Sequence, residues 1–187
     1  MANDTKVDWA EKIGKPSADS LREMVAALEC DYERLKELRD DRDGFEFDED
    51  NNLAPDGPGY ANDLEAWAGE NPDDAEELKE LEEAAKPCGN ECKDREDAEQ
   101  MIHEDPLSVE VRSDWVSPGS EMTAGEFAIL LTTGGPAVRI MGELDEHGEP
   151  CSAGLEVQDW GKPWTEYYEP GLDDVLLTYA RCFQFSS

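Results

Sequence analysis

The segment from Asp43 to Leu78 contains 13 acidic residues and no Lys or Arg. Because burying an unpaired charge is costly, any fold must expose these carboxylates or pair them with bases from other parts of the chain. The whole chain of 187 residues has 48 acidic and 16 basic side chains, which gives a net charge of −32. Such an excess is typical of disordered proteins. However, 38% of the residues are apolar and 15 are Trp, Tyr or Phe, so we expect a folded protein.

The sign of the charge excludes several classes of partner. A protein that binds nucleic acid directly needs a basic face, and an anionic membrane surface would repel this chain. No apolar run reaches the length of a membrane span, and the N-terminal residues lack the apolar core of a secretory signal. We therefore expect a soluble cytoplasmic protein, without a membrane or a direct nucleic-acid partner.

Residues 1–105 are predicted to form an acidic helical region. The capping-box pattern Ser20–Glu23 predicts a helix start, followed by one apolar stripe that continues to about residue 40. Residues 43–71 are predicted to be a loop. Asn71 and Pro72 then predict the start of a second helix, and a shorter helix is expected from about Asp94 to Glu104.

Residues 106–187 are predicted to form a separate unit of four strands and one helix. Leu107, Val109 and Val111 alternate with polar residues, which is typical of a half-buried strand. Three further strands are expected around residues 127–133, 138–142 and 155–159, and helical spacing returns after Leu172. The connections between the strands are short, which favours an antiparallel sheet. The predicted fold class is α+β: an acidic N-terminal helical region, then a four-stranded antiparallel sheet with a C-terminal helix.

The patterns that would indicate catalysis or a metal site are weak. Cys88 and Cys92 have zinc-like spacing and His103 follows, but a fourth ligand is not evident, so a disulfide or two unrelated thiols remain alternatives. The chain has two His residues and no nucleophile elbow, P-loop or zinc-protease motif. We therefore predict no enzymatic activity, no metal and no cofactor, and a small-molecule ligand is not expected.

The remaining functional feature is the charge itself. A helix from Pro72 to Lys86 contains seven acidic residues against two Lys, and spans roughly 22 Å at about 1.5 Å per residue. One DNA strand carries about six or seven phosphates over that length, at about 3.4 Å each. The helix therefore matches the charge density of one DNA strand, and the preceding loop could supply a second row of charges, as in duplex DNA. The carboxylates predicted to bind a partner are Asp43, Glu46, Asp48, Glu49, Asp50, Asp56, Asp63, Glu65, Glu70, Asp73, Asp74, Glu76, Glu77, Glu80 and Glu83.

Three hypotheses explain this acidity. The first is a DNA mimic that occupies the positively charged cleft of a basic DNA-binding protein or complex. The second is an acidic adaptor of some other basic nucleic-acid-binding protein. The third is a halophilic protein that is acidic over its whole surface. The uneven distribution, with −22 in residues 1–105 and −10 in residues 106–187, favours the first.

Four segments of the C-terminal part suggest a family. Glu110–Trp115, Ile129–Asp145, Val157–Trp164 and Leu177–Arg181 resemble small acidic proteins of phages and other mobile elements in proteobacteria. Such elements encode anti-restriction and anti-CRISPR inhibitors that mimic duplex DNA. The resemblance implies an inhibitor of a type I CRISPR surveillance complex, with type I-C as one candidate, that acts where the complex reads the PAM duplex. An anti-restriction DNA mimic is the alternative within this group.

Overall fold

The computed structural model describes residues 4–45, 63–113, 115–120 and 122–185. In chain order the elements are α1 (Asp4–Glu29), α2 (Tyr32–Gly44), α3 (Asp63–Glu70), α4 (Pro72–Ala84), a 3-10 turn (Pro87–Gly89), α5 (Arg95–Glu104), β1 (Ser108–Ser113), β2 (Ala124–Thr132), β3 (Ala137–Leu144), β4 (Pro150–Gln158), β5 (Thr165–Tyr167) and α6 (Leu172–Ala180). None of the helices described is long and apolar enough to cross a membrane.

The predicted α+β class is confirmed. The five strands form one antiparallel sheet in the order in which they occur along the chain, and α6 follows the last strand. The sheet has one strand more than expected, because β5 forms within the aromatic segment between Trp160 and Tyr168 and pairs with β4. Short connections between neighbouring strands explain the meander.

The main core lies between the sheet and two helices. Ile129, Ile140 and Leu155 are opposite one another on three adjacent strands and are fully buried. Leu21 of α1 and Leu176 of α6 are buried in the same cluster. Burying each such side chain contributes about 1.5–3 kcal/mol relative to leaving it exposed. This core includes residues from both sides of position 105, where we predicted a boundary between two units.

A second, smaller core holds α2, α3 and α4 together. Its buried members include Leu35 and Leu38 of α2, Trp67 of α3 and Leu78 of α4. The indole Nε1 of Trp67 donates a hydrogen bond of 2.9 Å to Asp41 Oδ2. A polar tip bonded at the edge of the cluster lets this large ring be buried without an unsatisfied donor.

The helix start predicted at Ser20 is wrong, and so is the single helix from there to residue 40. α1 begins upstream and continues through Ser20, because Ala18 and Leu21 are buried against the sheet. The helix ends at Glu29, and the Asp31 side chain accepts the backbone N–H of Arg34 and so caps α2. The apolar stripe is therefore continuous in sequence but divided between two cores.

Part of the predicted loop 43–71 is also wrong. Its residues 63–70 form α3, because Ala66 and Trp67 are both buried in the helical part of the molecule. The centre of that segment, residues 46–62, lies outside the described residues.

The strand predicted over Leu107–Arg112 is present as β1, but its apolar side chains are exposed rather than half-buried. β1 is the first strand of the sheet, whereas α1 contacts β3, β4 and β5, and α6 contacts β4. The helical layer therefore does not cover β1.

Gly14 allows α1 to approach β5 closely. A Cβ added at Gly14 would lie 2.3 Å from Cγ of Tyr167, closer than any normal contact. We therefore expect Gly14→Ala to destabilise the fold by about 1–3 kcal/mol through overpacking, although Ala favours helices by up to about 1 kcal/mol. Urea unfolding monitored by circular dichroism measures this.

Gly44→Ala is the matched control, since nothing lies within 4 Å of a Cβ at this position. We expect this variant to be as stable as the wild type or slightly more stable. Equal stability of the two variants would contradict the close packing of α1 on β5.

Candidate partner-binding surface

The acidic helix α4 has one face toward α2 and the second core and another face toward solvent. Its buried residue Leu78 points into the second core, and Ala75 and Leu81 pack beside it. The turn of about 3.6 residues then places some carboxylates toward α2 and others toward solvent. α4 begins at Pro72, as predicted, with Asn71 before it.

Arginines of α2 neutralise the face of α4 that lies against α2. Arg34 Nη2 is 2.7 Å from both Asp74 Oδ1 and Glu77 Oε2. Two further arginines of α2, Arg39 and Arg42, both contact Glu82 near the end of α4. We call this group the α2–α4 ion-pair cluster, and its members are Arg34, Arg39, Arg42, Asp74, Glu77 and Glu82.

The hydrogen bond from Arg34 to Glu77, together with the attraction between their charges, holds the pKa of Glu77 below its usual value of 4.5. Partial desolvation opposes this shift. The Arg34 pKa is raised, chiefly by the same hydrogen bond. Both groups are therefore charged throughout the physiological pH range.

The opposite face of α4 carries four exposed carboxylates in one line, which we call the outer stripe: Asp73, Glu76, Glu80 and Glu83. Their spacings of three, four and three residues keep them on one side of the helix. The stripe is about 15 Å long at about 1.5 Å per residue, so its charges are about 5 Å apart. Lys79 on the same helix lies close to the stripe, with its Nζ 3.9 Å from Glu83 Oε1.

The outer stripe is a sparser charge array than we predicted for the whole helix. One DNA strand carries a phosphate about every 3.4 Å of axis, so the stripe has about two-thirds of that density. The other three acidic residues of α4 belong to the α2–α4 ion-pair cluster. A duplex-like surface would therefore need carboxylates from outside α4.

Several predicted residues lie close to α4 in sequence. Asp63 and Glu65 open α3, and Glu70 closes it two positions before α4 begins; all three are exposed. Asp63 and Glu70 are two helical turns apart and share one side of α3. Asp43, at the end of α2, accepts a 2.9 Å hydrogen bond from Arg42 Nε. The remaining predicted carboxylates lie outside the described residues: Glu46, Asp48, Glu49, Asp50 and Asp56.

Sequence reasoning missed the role of the three arginines on α2. Their mixed arrangement with acidic residues is typical of an ordinary solvated helix face. The pairing partners lie about 40 residues away, on a helix whose position depends on the second core. The scarcity of bases after residue 42 was the available signal, since α4 has to find its counter-charges elsewhere in the chain.

The cysteines of the predicted zinc-like pattern are in different environments. Cys88 is exposed in the 3-10 turn, where its backbone N–H donates to Glu23 Oε2 at 2.7 Å, whereas Cys92 is buried. Burial raises the pKa of the Cys92 thiol, which hydrogen bonding with Tyr32 partly offsets. All five cysteines are free thiols. Within the described ranges, no group of three or more His, Cys, Asp or Glu side chains is arranged to hold a metal ion.

Comparisons with known proteins leave the chain without an assigned relative. No protein-family model, curated protein or solved structure matches it.

We expect Arg34→Gln to lower the urea midpoint at neutral pH and to have a smaller effect in acid. Because the pKa of Glu77 is lowered in the folded protein, the stabilisation exists above its unfolded pKa. It disappears as the pH falls through the lower, folded pKa. The difference between wild type and variant should thus be full at about pH 6 and shrink below about pH 4.

Arg95→Gln is the control, because it removes an equal charge and a more exposed pair with Glu99. A constant difference between wild type and Arg34→Gln over the whole pH range would contradict the role of the Arg34–Glu77 pair.

Proposed function

We propose that this protein is an acidic inhibitor that mimics duplex DNA and occupies the positively charged DNA-binding cleft of a basic protein complex. The observation that supports this most strongly is the division of α4: the inner carboxylates are paired with α2, whereas the outer stripe is left with little counter-charge. The predicted partner is a type I CRISPR surveillance complex, bound where it recognises the PAM duplex, because of the resemblance to proteins of mobile elements.

The outer stripe is unfavourable for the helix that carries it. Like charges three or four residues apart, such as Glu76 and Glu80, each destabilise a helix by about 0.2–0.5 kcal/mol. Solubility requires a net charge of only about 2–8 in magnitude, far less than −32. A function that uses the outer stripe accounts for the unfavourable like-charge contacts on α4 and for the large net charge.

Binding of such a surface is dominated by electrostatics. The acidic face would be attracted to a basic cleft from a distance, which raises the association rate. It would bind in place of the DNA phosphates. It would therefore compete with DNA for the same Lys and Arg side chains of the partner. Screening would weaken both effects, since the Debye length falls from about 10 Å at 0.1 M salt to about 3 Å at 1 M.

The outer stripe can be tested by neutralising it. We expect the quadruple variant Asp73→Asn, Glu76→Gln, Glu80→Gln and Glu83→Gln to bind a purified type I surveillance complex at least tenfold more weakly at low salt. A single substitution such as Glu76→Gln should cost less than about threefold, because a distributed charge array has no dominant residue. Biolayer interferometry at about 50 mM salt measures both.

The matched control neutralises four exposed glutamates of the C-terminal half: Glu143, Glu146, Glu149 and Glu166. It changes the net charge by the same amount and should retain wild-type affinity within about threefold. If both quadruple variants lose affinity equally, net charge and not the outer stripe drives binding. If the stripe variant binds like the wild type, the proposed binding surface is wrong.

The halophilic alternative predicts a different response to salt. A protein adapted to molar salt should unfold in dilute buffer and gain stability in about 2 M KCl. Because of its apolar cores and the α2–α4 ion-pair cluster, we expect this protein to be folded in about 20 mM buffer. Thermal unfolding followed by circular dichroism at both salt concentrations separates the two, and a transition seen only in molar salt would favour halophilic adaptation.

A further inference from the structure

The two edge strands of the sheet, β1 and β5, differ in length and in how they are covered. The other edge strand, β5, has three residues, and its Tyr167 packs against α1 at Gly14. β1 has six residues and pairs only with β2 among the strands of the described structure. Natural edge strands are commonly short, carry charged side chains, contain a bulge or are covered by another element. Each of these features prevents pairing with another chain. β5 follows this rule. β1 leaves an apolar face exposed, and its protection consists of the charged residues Glu110 and Arg112 and of a register irregularity between Arg112 and Ser113.

The face of β1 that should point into a core is apolar and uncovered. Val109 and Val111 are opposite Ile129 and Phe127 of β2, so all four side chains lie on the helical side of the sheet. The two β2 residues are buried, yet Val109 is 40% exposed and Val111 is 51% exposed. Leu107, just before the strand, is 59% exposed.

Further exposed apolar side chains follow the end of β1. Trp115, Val116 and Met122 are exposed, and with Arg112 and Ser113 they line a shallow cavity of about 530 Å³. A fully exposed Trp is costly in water, because its burial removes about 150–250 Å² of surface. Exposed apolar side chains that lie close together are typical of interaction surfaces.

The other face of β1 carries a charge pattern that is complementary to itself. Glu110 and Arg112 lie two residues apart on this face. Arg112 hydrogen-bonds to Glu126 of β2 and remains 75% exposed at its side chain. In an antiparallel pair of two β1 strands with Val111 opposite Val111, each Glu110 would be opposite Arg112 of the other copy. Opposite charges directly across a sheet stabilise the pairing of the two strands.

We propose that β1 is the interface of a two-fold dimer, in which a second copy of this chain pairs its own β1 antiparallel to it. The two five-stranded sheets then form one continuous sheet of ten strands. The uncovered valines of the two copies lie side by side, and the backbone groups of both free edges become hydrogen-bonded. This use of the free edge resembles β-augmentation, with an identical chain as the added strand.

The acidic surface lies elsewhere in the fold, which makes the dimer compatible with the charge. α4 contacts α1, α2 and α3, whereas β1 contacts β2. Two chains of −32 still repel each other at long range. Dimerisation should therefore strengthen as salt rises, whereas binding through the outer stripe should weaken. The opposite salt dependences separate this inference from the proposed function.

Two complementary charge variants test the interface. In Glu110→Arg the strand carries two Arg on this face, and in Arg112→Glu it carries two Glu. Each variant alone places like charges opposite each other, so we expect its dimer dissociation constant to rise at least tenfold. In an equimolar mixture every Arg is again opposite a Glu, and a heterodimer should form with about wild-type affinity. Analytical ultracentrifugation in about 0.5 M NaCl measures the three states.

Circular dichroism of each variant verifies that the fold is retained. The outer-stripe quadruple variant is a second control and should dimerise like the wild type, since it leaves β1 intact. A wild-type protein that stays monomeric at about 100 μM in 0.5 M NaCl would overturn the proposal. So would a dimer whose affinity is unchanged by both charge variants, because its interface would then lie elsewhere.

Discussion

The arginines of α2 make the acidic helix α4 compatible with a folded protein. α4 is anchored by Leu78 in a small core, and three of its seven carboxylates would face the neighbouring helix unpaired without Arg34, Arg39 and Arg42. These pairs are partly exposed, so each contributes modestly to stability. Their main consequence is to sort the charge, because they neutralise the inner face and leave the outer stripe to solvent. The candidate binding surface depends on this division.

Much of the architecture could be predicted from local patterns. The starts of α4 at Pro72 and α5 after Asp94, the antiparallel order of the strands and the C-terminal helix all follow from capping residues, periodicity and short connections. Long-range packing decided the rest. The capping-box pattern at Ser20 does not begin a helix, because the burial of Ala18 and Leu21 extends α1 through this position. α3 forms because Trp67 is buried in the second core. No local pattern contains either contact.

The candidate surface was predictable in composition but not in arrangement. Counting acidic residues identifies α4, yet it assigns equal roles to Glu77, which is paired, and Glu80, which is exposed. The same limit applies to β1, whose alternation correctly predicts a strand. Whether a helix covers that strand depends on where α1 and α6 cross the sheet. The free apolar edge and the outer stripe are therefore properties of the assembled fold.

The proposed function requires that the acidic surface take the place of duplex DNA in a partner's cleft. The most direct measurement is the apparent dissociation constant of the protein for a purified type I surveillance complex at increasing concentrations of target duplex. If the two occupy one cleft, this constant should rise in proportion to the duplex concentration without reaching a plateau. A constant that levels off, or does not change, would show that both bind at once, and would contradict DNA mimicry.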